Sequence, residues 1–76
     1  MNIEKLLSMA NQIGQFFAAM PDRDQAVAET ANHLRRSWDP RMRRELFAHI
    51  DAHGTAGLSD VMIDVVKQKR SELEPK

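Results

Sequence analysis

Five arginines, Arg35, Arg36, Arg41, Arg43 and Arg44, fall within the fourteen residues from His33 to Leu46 and surround the only tryptophan, Trp38. A guanidinium presents its donors in a rigid planar fork that matches carboxylates, phosphates and carbonyl groups, so the chemistry of such a segment is anion capture. The 76-residue chain as a whole has formal net charge zero, with 11 basic and 11 acidic side chains. Its cations are therefore concentrated rather than in excess, which argues against general polyanion binding. Arg35 and Arg36 fall where a helix is expected to end and complement its dipole. Arg41, Arg43 and Arg44 fall where the next helix begins, at the positive end, and ask for a compensating anion. Asp39 to Arg43 and Arg41 to Glu45 are expected four-residue pairs, each worth about 0.2–0.5 kcal/mol, and they do not neutralise the set. Phe47 shares a side with Arg43, off the stripe of Met42, Leu46 and Ile50, which makes an aromatic and guanidinium surface of the kind enriched at interface hot spots.

The expected partner-binding set is thus Arg35, Arg36, Trp38, Arg41, Arg43, Arg44 and Phe47. Two partners compete for it. One is the acidic side chains or backbone carbonyls of another protein; the alternative is nucleic acid, with a helix-turn-helix laying its arginines on phosphates. The turn argues against DNA, because Trp and Pro stand at the corner and few base-reading side chains follow. An anionic, nucleotide-like cofactor held during handover is a weaker third reading. His49 and His53 have the four-residue spacing of a chelating pair but no acid in the zincin pattern and no evident third ligand, so a half-buried packing role is expected for both, as for His33. No Ser/His/Asp or Cys/His arrangement, glycine-rich phosphate loop or apolar carboxylate pair is present, so catalysis by this chain alone is not expected.

Helices must position these residues. Ile3, Leu6, Leu7, Ala10, Ile13 and Phe17 recur at helical steps and Pro21 closes the run, which predicts a helix over 3–19. Asp22 with Gln25 reads as a capping box for a second helix over 23–37 carrying Val27, Thr30, Ala31, Leu34 and Trp38. Asp39-Pro40 opens a third, with Met42, Leu46, Ile50 and His53 as its stripe. Gly54 and Gly57 break the chain, and Ser59 caps a last helix holding Val61, Met62, Val65, Val66 and Leu73. The expectation is one all-α domain over 1–76, a small bundle of three to four helices, with a frayed tail over about 72–76. Met9, Phe16 and Met20 widen the apolar arc of the first helix, and Phe16 and Met20 form a candidate second contact.

A chain this small buries only about 60% of its unfolded surface. With no cysteine it holds no disulfide and no thiolate cluster, which fits a reducing compartment. Glu4 and Lys5 interrupt the start, and no apolar run approaches the roughly 20 residues of a membrane span, so a cytoplasmic protein without membrane contact is expected.

The segments Met9 to Phe17 ("MANQIGQFF"), Pro21 to Arg23 ("PDR") and Ala31 to Arg43 ("ANHLRRSWDPRMR") resemble the small delta subunit of cytoplasmic, NAD-dependent, molybdenum-containing formate dehydrogenases. The likeness covers about the first two thirds of the chain, and the third segment is its specific part. It implies a non-catalytic accessory subunit of a complex that oxidises formate to carbon dioxide and reduces NAD. The partners implied are the large subunits, which carry a bis-molybdopterin guanine dinucleotide centre, iron–sulfur clusters and FMN; this chain would hold no cofactor or metal. Assembly, stability or loading of the molybdenum cofactor are the roles such a subunit could serve, and a wide apolar helix could self-associate when its partner is missing.

Overall fold

The computed structural model describes residues 2–75 and is helical throughout, without strands among the described residues. The helices are α1 (Ile3–Ala18), α2 (Arg23–Ser37), α3 (Pro40–His53), α4 (Asp60–Gln68) and α5 (Arg70–Leu73). Each of the first four begins at a side chain that accepts otherwise orphaned backbone donors. Asn2 accepts from the Glu4 N–H, Asp22 from Asp24 and Gln25, Asp39 from Met42, and Ser59 from Met62. Gly54, with φ of 81°, follows the last residue of α3, a backbone conformation that glycine adopts without the cost a Cβ would bring.

The apolar faces close on one core that includes Leu6 and Ala10 of α1, Val27 and Leu34 of α2, Leu46 and Phe47 of α3, and Met62 and Val65 of α4. α1 packs on α2, α3 and α4, and α2 packs on α4 and α5. Thr30 is the one buried polar residue among those described, and its hydroxyl donates back to the Ala26 carbonyl at 2.7 Å, so no polar group is stranded there.

Two details seat α4 against α1. Gly14 is buried, and a Cβ on it would lie 2.9 Å from both Met62 Cγ and Val61 Cγ1. Three residues earlier the Asn11 amide works in both directions: Nδ2 donates to the Gly57 carbonyl at 2.7 Å, and Oδ1 accepts from the Ser59 N–H at 2.8 Å. The side chain thus satisfies the loop backbone just where α4 starts.

The structure departs from the expected layout at the far end. Among the described residues five helices form rather than three to four, because the last helix breaks at Lys69 (φ −114°, ψ 16°). A straight continuation would carry Leu73 about 10 Å past Val66; the bend turns it back into the core, where it is 1% exposed. Within the tail expected to fray, Leu73 is buried and Glu74 pairs with Arg70 at 2.7 Å. Lys76, the end of that tail, lies outside the described residues. His53, expected on the α3 stripe, is exposed in the last turn, its ring 4.9 Å from that of His49.

Candidate functional site

The α2–α3 corner is built from the inside. Trp38 ends α2 in extended backbone, its N–H donating to the Leu34 carbonyl at 2.8 Å, and its side chain enters the core with 3% exposure. Ser37 returns its hydroxyl to the His33 carbonyl at 2.7 Å. Asp39 spends its carboxylate on the Met42 N–H at 2.9 Å, and Pro40 takes the first helical position, where its missing donor costs nothing. Each element of the corner is therefore tied to backbone or core, which gives the surrounding side chains a rigid base.

Around that base the expected partner-binding residues divide. Trp38 and Phe47 are buried, at 3% and 1% exposure, and so brace the corner from beneath instead of presenting their rings. Phe47 is covered by the chain itself, with the Arg70 guanidinium 5.0 Å from its ring centroid. Arg43 also turns inward: its Nη1 donates to the Leu73 carbonyl at 2.9 Å, and its Nε is buried without an acceptor. The expected Asp39 to Arg43 pair is absent because the carboxylate is occupied in capping and the guanidinium in holding α5. The surface expected from Arg43 and Phe47 is thus the seat of α5.

Arg35, Arg36, Arg41 and Arg44 remain exposed. The ion pairs among the described residues are Arg23 with Asp64, Lys69 with Glu72, and Arg70 with Asp51 and Glu74. None involves these four arginines, and the expected pair of Arg41 with Glu45 does not form. The first turn of α3 contains no acidic residue, so beside Arg41 and Arg44 only the Asp39 cap offsets the positive end of its dipole. Arg35 lines a small cleft of about 130 Å³ with Asn32, Lys69 and Glu72.

A second feature lies on α1. Phe16 is 75% exposed, the one large apolar side chain so exposed among the described residues. It meets Phe17 edge to face at 5.0 Å, and Phe17 in turn tilts against His33 at 6.0 Å. Gln12, Ile13, Phe16, Phe17 and His33 enclose an open groove of about 290 Å³. Met20 is half-buried beyond it, its N–H bonded to the Phe17 carbonyl.

Sequence reasoning missed Arg70, which organises the C-terminal region. It holds Asp51 of α3 through two bonds of 2.9 and 2.7 Å and Glu74 through bonds of 2.7 and 3.0 Å. These hydrogen bonds lower the pKa values of both carboxyls, and donation to Glu74 first and then to Asp51 raises that of Arg70. The Arg70 to Glu74 spacing was readable as a helical pair; Asp51, nineteen residues away, carried no local signal.

For metal or cofactor chemistry, the described residues contain no group of three or more His, Cys, Asp or Glu suited to an ion. Without cysteine, the donor set does not fit a thiolate-held iron–sulfur cluster. No helix among the described residues is long and apolar enough to cross a membrane.

No curated protein and no solved structure matches the chain. A family model does: that of the NADH-dependent formate dehydrogenase delta subunit FdsD, over residues 5–66. The match takes in the segments that carry the sequence resemblance, with the Asn11 and Gly14 seat and most of the arginine corner, and extends beyond them through α4 as far as Val66. With most of its length matched, the chain belongs to the family of NADH-dependent formate dehydrogenase delta subunits.

Proposed function

We propose that the chain is a non-catalytic accessory subunit that docks on a large subunit of a cytoplasmic formate dehydrogenase and supports assembly, stability or molybdenum-cofactor loading of the catalytic subunit. The observation that carries the docking surface is the set of four exposed guanidinium groups, Arg35, Arg36, Arg41 and Arg44, without an ion-pair partner among the described residues on a corner braced by buried Trp38. The fixed corner limits the ordering cost to the arginine side chains themselves, and planar forks reward bidentate acids. The partner face is therefore acidic. In this reading the molybdenum centre, iron–sulfur clusters and flavin belong to the large subunits.

The test is to express the catalytic subunits with and without this chain and to compare co-purification, molybdenum content and formate-dependent NAD reduction. Co-purification, with molybdenum lost when the chain is missing, assigns cofactor loading or retention. Lost assembly at normal molybdenum content assigns a structural clamp. Absence of co-purification and of any effect refutes the proposal. The paired change Arg41→Glu with Arg44→Glu leaves the fold intact and abolishes co-purification if the corner is the docking surface.

A further inference from the structure

The groove beside Phe16 has the properties of a seat for a single large side chain. At about 290 Å³ it lies at the lower limit of small-ligand pockets. Its lining residues are uncharged when His33 is neutral, and its rings are already set: Phe16 stands edge to face on Phe17, and Phe17 rests on His33. An apolar occupant would meet aromatic surface that needs little reordering, a condition that favours binding. Phe16, 75% exposed, stands as a rim that such an occupant would cover.

Charge decides what accompanies that side chain. On α2, Arg36 stands three residues after His33, hence about 5–6 Å along the same helix surface. Arg36 is exposed and belongs to the arginine corner. A segment lying in the groove therefore meets a guanidinium about one helical turn away. We propose that this groove receives one bulky apolar side chain of the partner subunit, on a segment that places a carboxylate on Arg36. The inference rests on the accessory-subunit reading and extends it into a two-part footprint, an apolar anchor on α1 and α2 continuous with an acid-binding corner.

A second copy of the chain fits this surface less well. A stable interface covers about 800 Å² of each partner, about a sixth of the 4788 Å² surface here. The few residues around the groove cannot supply that area alone. A two-fold pairing that spread onto the corner would set arginines against arginines, which is unfavourable.

The experiment places a photo-crosslinking residue at Gln12, on the groove rim, in the full chain assembled with the large subunits, and measures the affinity of Phe16→Ala and Arg36→Glu variants alongside. The expected crosslinks fall on a large-subunit segment with Leu, Phe or Met and an acid within one turn. Phe16→Ala and Arg36→Glu each weaken binding at least tenfold; the melting curve of Phe16→Ala stays close to wild type because the ring is exposed, while Arg36→Glu stays folded and melts a few degrees lower because it reverses a favourable charge at the end of α2. If the wild-type chain assembles but Phe16→Ala binds equally well, or crosslinks join only two copies of the chain, the groove proposal is overturned and the accessory role stands. If the wild-type chain does not assemble with the large subunits at all, the accessory reading itself fails, and the groove proposal with it.

Discussion

Replacing Gly14 by alanine sets two effects of opposite sign against each other. In an exposed helix interior the change gains about 1 kcal/mol from helix propensity. Here the new methyl group lies 2.9 Å from Met62 Cγ and from Val61 Cγ1, closer than carbon atoms pack. Neither neighbour can withdraw freely. Val61 is β-branched and 3% exposed, Met62 is fully buried, and Asn11 pins the backbone just before them through Gly57 and Ser59. Overpacking of this kind costs about 1–3 kcal/mol, so the net expectation is a loss of about 1 kcal/mol. For a domain of this size that lowers the melting temperature by about 4–8 °C. Thermal and urea unfolding followed by circular dichroism measure it, with Ser8→Ala, an exposed site on the same helix, as the control for propensity. A Gly14→Ala chain that melts at or above the wild-type temperature would show that α4 yields at this contact and would refute the close-approach argument.

Other outcomes follow from the same contacts. Trp38→Ala should cost about 3–5 kcal/mol, a large part of the roughly 4–11 kcal/mol available to a domain of this length. Urea titration checks it, and a cost below about 1 kcal/mol would mean that the ring does not brace the corner. Asn11→Ala should cost about 0.5–1.5 kcal/mol by removing its bonds to the Ser59 N–H and the Gly57 carbonyl, which water can then reach, with faster amide exchange at Ser59 as its local signature. For Asp51 and Glu74, hydrogen bonds from Arg70 depress the folded pKa values. Their stabilisation is thus fully present above the unfolded values of about 4 and is lost as pH falls through the depressed ones. The melting difference between wild type and Arg70→Gln should be constant near neutrality and shrink below about pH 4; a difference that grows on acidification contradicts the assignment.

The first three helices were legible because their signals are local. Asp22 and Asp39-Pro40 mark helix starts through bonds that span two or three residues, and Gly54 marks an end through its own backbone. The C-terminal region was not legible for the opposite reason. The bend at Lys69 is compensated by contacts with Asp51, Phe47 and Arg43, which adjoin it only after folding. The same limit divided the candidate site. Helical spacing placed Arg43 and Phe47 on one side, but it could not show that α5 would occupy that side. Exposure of Arg36, Arg41 and Arg44 agrees with their polar positions, whereas Trp38 reads equally as anchor or as core until its neighbours are known. Asn11 and Gly14 lay within a segment valued for its resemblance, and their physical task became visible only with α4 in place.

The seating of α1 on α4 also sets an order in time. Asn11 awaits Ser59, forty-eight residues further along the chain. At synthesis rates of about 5–20 residues per second, the first helix emerges roughly 2–10 s before its final neighbour. During that interval the apolar face of Leu6, Ala10 and Ile13 lacks α4, while α2 becomes available earlier. The newborn chain therefore passes through a stage in which the segment that carries Phe16 has emerged while α4, against which α1 packs in the closed bundle, has not.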